Sequence, residues 1–320
     1  MATMNMVQAL NLALREEMER DKDVIVLGED VGKDGGVFRV TDGLFSRFGP
    51  DRVVDTPLAE AGIVGAAIGM AAYGLKPVAE IQFMGFIYSA IEQLISHATR
   101  IRARSRGRFT CPLVVRTPYG AGVKALEHHS ESTEALFCQI PGMKVVVPSS
   151  PRIAKGLLLA SIRDPDPVVF LEPTRLYRLI KEDVPEIDYT VPLGKARVAR
   201  EGKAVTVIAW GSMFQRTLQA VEGFDAEVID LMTLSPFDEE AVLQSAKKTG
   251  RVVIVHEAPS TCGLGAEISA TIAEHAMLHL RAPIIRVTGL DVVMPLPKLE
   301  DYYVPSIEKI RKGIETVMQY

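Results

Sequence analysis

The chain has 320 residues, 24% of them charged, and a net charge of −4 at neutral pH, with an isoelectric point near 5.9. No overall positive field draws it to nucleic acid or acidic lipid, so its expected partners are proteins and small molecules. Cys111, Cys138 and Cys262 are odd in number, far apart and without metal-ligand spacing, which points to reduced thiols in a cytoplasmic compartment and to no zinc site. The start reads Met1 to Met6 and then an amphipathic helix ending Arg15-Glu16-Glu17, with no basic region followed by an apolar run. The longest uncharged stretch, Ala61 to Leu75, is glycine-rich and shorter than the roughly 20 residues a spanning helix needs. A soluble protein without a signal peptide is expected, long enough for two cores.

Apolar runs of strand length occur at Val24–Leu27, Arg52–Asp55, Pro77–Phe83, Pro112–Arg116, Lys144–Val147 and Val168–Leu171. Helical patterns separate them at Ala59–Tyr73, Phe86–Arg104, Ser132–Phe137 and Arg152–Ile162. This alternation predicts an α/β domain with a mainly parallel sheet covered on both faces, over residues 1–180. Between Leu176 and Lys203 the pattern lapses into charge and proline, as a linker would, and its centre is placed at residues 181–200. A second α/β domain, 201–320, is predicted with strands Val205–Trp210, Glu227–Leu231, Arg251–Val255 and Pro283–Val287. Its helices are predicted at Met213–Val221, Glu239–Lys248, Ala266–Leu280 and Ile307–Val317. No repeat of fixed period and no low-complexity tract appears.

Some residues invite chemistry. Glu60 opens a helix lined by Gly62, Gly65, Ala66, Gly69 and Ala72, a face that something must approach closely, either a helix of the same core or another subunit. A carboxyl held among Leu58, Ile63 and Val64 should resist ionising and keep a proton to donate. With the aromatic Phe86 after the next strand, this looks like half of a thiamine site, where a carboxyl meets the aminopyrimidine against an apolar wall. His128-His129-Ser130 follow the glycine-rich Tyr119-Gly120-Ala121-Gly122, so they are expected on a loop at a sheet edge, where such folds carry sites. His275 and His279 lie four residues apart on a helix without a third ligand and are expected on its surface. Arg100, Arg102, Arg104, Arg106 and Arg108 alternate, so a helix splits them between faces; they are expected to be solvated or to face a partner. Gly263-Leu264-Gly265-Ala266 is an incomplete dinucleotide fingerprint in the wrong part of the fold.

These stretches, with Leu27-Gly28-Glu29-Asp30, Ala79-Glu80-Ile81-Gln82-Phe83, Ala154-Lys155-Gly156-Leu157, Ile162-Arg163-Asp164, Asp166-Pro167-Val168-Val169-Phe170-Leu171-Glu172 and Lys248-Thr249-Gly250-Arg251 in family order, carry a resemblance over nearly the whole chain. It resembles the beta subunit of the thiamine-dependent decarboxylating component of 2-oxo acid dehydrogenase complexes, with transketolase-like pyrimidine-binding and C-terminal domains. The resemblance implies that Glu60 activates the pyrimidine, that Leu58 and Phe86 line the cofactor, and that His129 is an active-site histidine that supplies or orients a proton for the lipoyl thiolate. The family's magnesium motif, a Gly-Asp-Gly followed by asparagine, is absent here and belongs to the alpha subunit. Thiamine diphosphate and Mg2+ are therefore implied to sit in a site shared by an assembly of two alpha and two beta chains. A structural K+ held by main-chain oxygens is implied at Leu113, Ser161, Ile162, Asp164 and Asp166; two Asp-Pro turns without an ion are the alternative. Asp291 is implied to pair with a basic residue of the lipoyl acyltransferase core; a turn aspartate is the alternative.

Asp34-Gly35-Gly36-Val37-Phe38-Arg39 and Glu80-Ile81-Gln82-Phe83 look closer to branched-chain members, so a branched-chain 2-oxo acid is the expected substrate and pyruvate the runner-up. Glu131 departs from the Gln or Asp expected after His129-Ser130. A nicotinamide oxidoreductase would need a complete glycine fingerprint after the first strand, which Leu27-Gly28-Glu29-Asp30 does not supply. A non-catalytic scaffold subunit is the other rival.

Overall fold

The structure is a computed structural model that describes residues 2–320. Its strands are, in chain order, β1 (Ala2–Met4), β2 (Val24–Gly28), β3 (Val53–Asp55), β4 (Lys76–Glu80), β5 (Val114–Tyr119), β6 (Lys144–Val146), β7 (Val168–Pro173), β8 (Glu182–Val184), β9 (Arg197–Arg200), β10 (Val205–Ala209), β11 (Ala226–Asp230), β12 (Thr233–Ser235), β13 (Val252–Pro259) and β14 (Ile285–Gly289). Seven form one sheet in the order β12-β6-β7-β5-β4-β2-β3, and five form another in the order β14-β13-β10-β11-β9. All pairings in the large sheet are parallel except β12 with β6, and all in the second are parallel except β9 with β11.

Burial on both faces explains why the strands read as apolar runs: every residue of β2, β5, β7, β10 and β11 is buried. Leu27, Ala79, Val115 and Leu171 face one core, and Val26, Val78, Val114 and Phe170 face another. The first core continues through Trp210, Ile208 and Ile254 into the second sheet, so the two sheets share apolar packing. Helix ends carry their own signals. Asn5 and Gln8 form a reciprocal cap on Met6–Arg20, Ser150 caps Pro151–Arg163 with Pro151 at its first turn, and Asp238 caps Glu239–Thr249, which ends on the left-handed Gly250.

Two expectations change. The region 86–104 is not one helix but a 3-10 turn Met84–Ala90, a helix Ile91–Ser96, a turn Ala98–Arg100 and a helix Ile101–Arg104. The Thr99 hydroxyl and the Arg100 and Arg104 guanidinium groups donate to the carbonyls of Ile95 and Ser96, competing with the helical ladder. The expected linker also holds two strands: β8 pairs with β1, and β9 forms an edge of the second sheet. Conversely, β12, from the second half of the sequence, pairs with Val145 and Val146 of the large sheet.

Candidate active site

The carboxyl ends of β2, β3, β4 and β5 converge, which is where an open parallel sheet places its sites. After β3, residues Thr56–Ala59 lead into the helix Glu60–Ala72, so Glu60 sits in its first turn, where the helix dipole favours a carboxylate. Glu60 is half-buried, and its Oε2 accepts the Ser89 hydroxyl at 3.3 Å. Glu29, at the end of β2, is buried with its Oε1 unpartnered; burial first, then the charges of Glu60 and Asp30, raise its pKa. The expected apolar wall is only half present. Ile63 and Val64 are buried in the core, whereas Leu58 is 77% exposed and covers nothing within this chain. The small-residue face is open too: Ala59, Ala61, Gly62, Ala66, Gly69 and Ala72 are exposed.

On the other side of Ser89 stands an aromatic cluster that ends in His129. The Phe86 ring lies 5.3 Å from the His129 ring, and Phe83 lies 4.2 Å from it, both edge-on. Phe38 extends the row, 5.6 Å from Phe83 and 5.0 Å from Tyr177. His129 Nδ1 is buried without a hydrogen-bond partner. The histidine loop can lie on the Met84–Ala90 turn only because residue 85 is glycine; a Cβ there would come within 2.4 Å of the His128 carbonyl oxygen and ring. Glu131, the residue that departs from the expected pattern, accepts the Tyr88 hydroxyl; burial first, then this bond, raises the Tyr88 pKa. Glu60 and His129 are thus joined through one short segment, Phe86 to Ser89, which touches the acid at one end and the histidine at the other.

Beneath the row lies a buried ion triad. Arg116 Nη1 donates to Glu80 at 2.7 Å, its Nε and Nη2 reach Glu172 at 2.7 and 3.1 Å, and the Tyr177 hydroxyl also donates to Glu172 at 2.7 Å. Burial raises the Glu80 pKa against the opposing effect of Arg116. Paired by these bonds, the charges fix the sheet's carboxyl edge, and Tyr177 carries that order up to Phe38.

Other candidate residues lie apart. Asp291 is exposed and accepts the Thr261 N–H at 3.0 Å and its hydroxyl at 2.7 Å, which holds its pKa below the usual carboxylate range. Leu113, Ser161, Ile162, Asp164 and Asp166 cluster where β5 and β7 begin. The Leu113 and Ser161 carbonyls accept the Val168 and Asp164 N–H groups, while Asp164 pairs with Lys144 and Asp166 with Arg102. Among the described residues no group of three or more His, Cys, Asp or Glu side chains could hold a metal ion, and no helix is long and apolar enough to cross a membrane. His275 and His279 are exposed on and just beyond their helix, and Gly263 and Gly265 pack against the buried His256 ring. The sequence motifs include Phe38 and Phe83 but give neither a place in the site, and Tyr88 belongs to none of them.

Residues 2–180 match the family described as transketolase, pyrimidine binding domain, and residues 194–310 match transketolase, C-terminal domain. The chain is 52% identical over 315 residues to the pyruvate dehydrogenase E1 component subunit beta of Acholeplasma laidlawii, an alignment covering 97% of this chain and 96% of that one. It is 48% identical over 327 residues to the 2-oxoisovalerate dehydrogenase subunit beta of Bacillus subtilis (strain 168), covering 100% of each. Among solved structures it is similar to a split gene transketolase, an inactive beta4 tetramer, with a TM-score of 0.82 over 99% of each chain; at 23% identity this speaks for the fold alone. With both family matches spanning the two sheets and such relatives aligned nearly end to end, the chain belongs to the family of E1 beta subunits of 2-oxo acid dehydrogenases.

Proposed function

We propose that the chain is the beta subunit of a branched-chain 2-oxo acid dehydrogenase decarboxylating component, active in the cytoplasm with an alpha subunit in a two-alpha, two-beta assembly. It serves the oxidative decarboxylation of a 2-oxo acid on thiamine diphosphate, with acyl transfer to the lipoyl-lysine of a core acyltransferase. One observation carries this reading: Glu60, at a helix start beside the acid Glu29, faces the same short segment whose Phe86 ring meets His129 edge-on. The residues fit the pyrimidine half of the cofactor, since an unpartnered buried Nδ1, an aromatic ring and an accessible carboxyl surround one edge of the sheet.

When bound, thiamine diphosphate supplies the carbon that adds to the keto group and holds the electron pair left as carbon dioxide departs. Glu60 would share a proton with the aminopyrimidine, Phe86 would pack on that ring, and the exposed Leu58 would offer an apolar edge. Acyl transfer to a lipoyl disulfide would break the sulfur–sulfur bond and form one carbon–sulfur bond, and His129 would supply or orient the proton that the freed sulfur takes. Mg2+ and the diphosphate are assigned to the alpha subunit, because the chain lacks the motif for them. K+ is assigned to the main-chain oxygens around Leu113, Ser161, Ile162, Asp164 and Asp166, and acyltransferase docking to Asp291.

The purified chain is expected to bind thiamine diphosphate weakly and to decarboxylate nothing until an alpha subunit is added. Tight, magnesium-dependent binding by the chain alone in calorimetry would refute the shared site. A pyruvate enzyme is the second reading, favoured by the Acholeplasma relative's name. The branched-chain reading is supported by the stretch Asp34–Arg39, whose Phe38 reaches the aromatic row. Turnover of the reconstituted complex with 2-oxoisovalerate against pyruvate separates the two.

A further inference from the structure

The loop that ends in His129 is held by the second sheet. Glu257, in β13, is 2% exposed and uses both oxygens: Oε1 accepts the Ala121 N–H at 2.5 Å, and Oε2 accepts the Ser212 hydroxyl at 2.6 Å. Ala121 lies at the root of the loop where it leaves β5. Beside it, Gly120 has φ +74°, and a Cβ there would lie 2.9 Å from Glu257 Oε1, so the root reaches the carboxylate only without a side chain. Gly120 N–H donates to the Glu131 carbonyl at 3.0 Å, which closes the loop just beyond His129 onto that same root. A second buried acid, Glu300, accepts the Lys124 N–H at 3.1 Å midway along it.

Burying this carboxyl is costly and raises its pKa, and the bonds from the Ser212 hydroxyl and the Ala121 amide, with the nearby charges of Arg175 and Arg216, offset part of that cost. We propose that Glu257 is a positioning residue for the acyl-transfer step, anchoring the loop root so that the His129 imidazole stays against Phe83 and Phe86. Glu300 is its secondary anchor. The proposal rests on the role assigned to His129 above, but its structural half can be measured without that role.

The test uses the full alpha-beta complex with Glu257→Ala, Glu257→Gln and His129→Ala. Glutamine can present its oxygen to Ala121 and its amide to Ser212, so it is expected to restore the loop. Glu257→Ala is expected to speed amide hydrogen exchange over residues 120–131 while leaving β4 and β10 protected. It is also expected to lower transfer to lipoyl domains by up to about 10²-fold, the cost of an ångström of misplacement, while dye-linked decarboxylation is largely kept. Unchanged exchange at 120–131 overturns the anchor. So does faster exchange with full lipoyl transfer, when His129→Ala abolishes that transfer, and so does a glutamine variant as impaired as the alanine. If His129→Ala itself spares transfer, the role given to His129 fails, and the exchange at 120–131 still decides whether Glu257 holds the loop. Should Glu257→Ala not fold, Glu300→Ala is judged by the same two readouts.

Discussion

The Ser89 hydroxyl donates to the Glu60 carboxylate across 3.3 Å, tying the turn that carries Phe86 to the helix that carries the acid. Both groups are partly solvated, so the bond is expected to contribute on the order of 1 kcal/mol or less. Ser89→Ala is expected to lower decarboxylation by less than about tenfold, the rate equivalent of that energy, and to leave the order of Phe86 intact. A loss as large as that of Glu60→Gln would mean that Ser89 itself handles a proton.

Glu134 gives a pH signature at the contact between the two sheets. It is fully buried, accepts Trp210 Nε1 at 3.2 Å and stands beside the Tyr119 hydroxyl; burial pushes its pKa up to about 7. An acid whose folded pKa is raised binds more protons when folded, so its stabilising contribution is full below its ordinary value near 4.5 and is lost as pH rises through 7. The stability of the chain minus that of Glu134→Gln is therefore expected to fall between pH 5 and 8 by as much as about 3 kcal/mol. Urea titrations at several pH values measure it, and a difference independent of pH would contradict the assignment.

Arg116 is 1% exposed between Glu80 and Glu172. Arg116→Met removes the only cation bonded to those two buried carboxylates among the described residues, and breaking such a pair costs about 3–5 kcal/mol. The midpoint of urea unfolding is expected to drop with an unchanged slope. A shift below about 1 kcal/mol would show that the carboxylates take up protons instead, which the raised pKa of Glu80 would assist.

The strands of the parallel sheets were legible because burial on both faces leaves no polar alternation, as in Val168–Leu171. By contrast, β9 escaped reading because Arg197–Arg200 lies at an edge, with no residue buried and an arginine at each end, and β12 because Thr233–Ser235 is defined by its partner β6 rather than by its own pattern. Glu60, Phe86 and His129 could be named from local motifs and family resemblance. That Phe83 stands closer to His129 than Phe86 does, or that Glu257 holds the loop from another sheet, depends on tertiary contacts that no spacing encodes. Leu58 shows the converse: its sequence promised a wall, and the single chain leaves it in solvent.

Glu60 and His129 are expected to fail differently, and the contrast tests their roles directly. In the proposed role Glu60 acts before any carbon–carbon bond breaks, so Glu60→Gln is expected to depress decarboxylation with every acceptor. His129, in the role proposed for it, acts later, at the sulfur that takes a proton. His129→Ala is expected to lower transfer to lipoyl domains by roughly 10²–10⁴-fold, the usual worth of a positioned acid, while much of the turnover with an artificial dye acceptor persists. The packing of His129 against Phe83 and Phe86 makes one control necessary, since removing the imidazole also removes two edge-on ring contacts. His129→Phe keeps an aromatic ring in place without a titratable nitrogen and is expected to lose lipoyl transfer as fully as the alanine variant. Recovery of transfer in His129→Phe would assign the residue to packing, and equal losses with dye and lipoyl acceptors would move its role to substrate binding or decarboxylation.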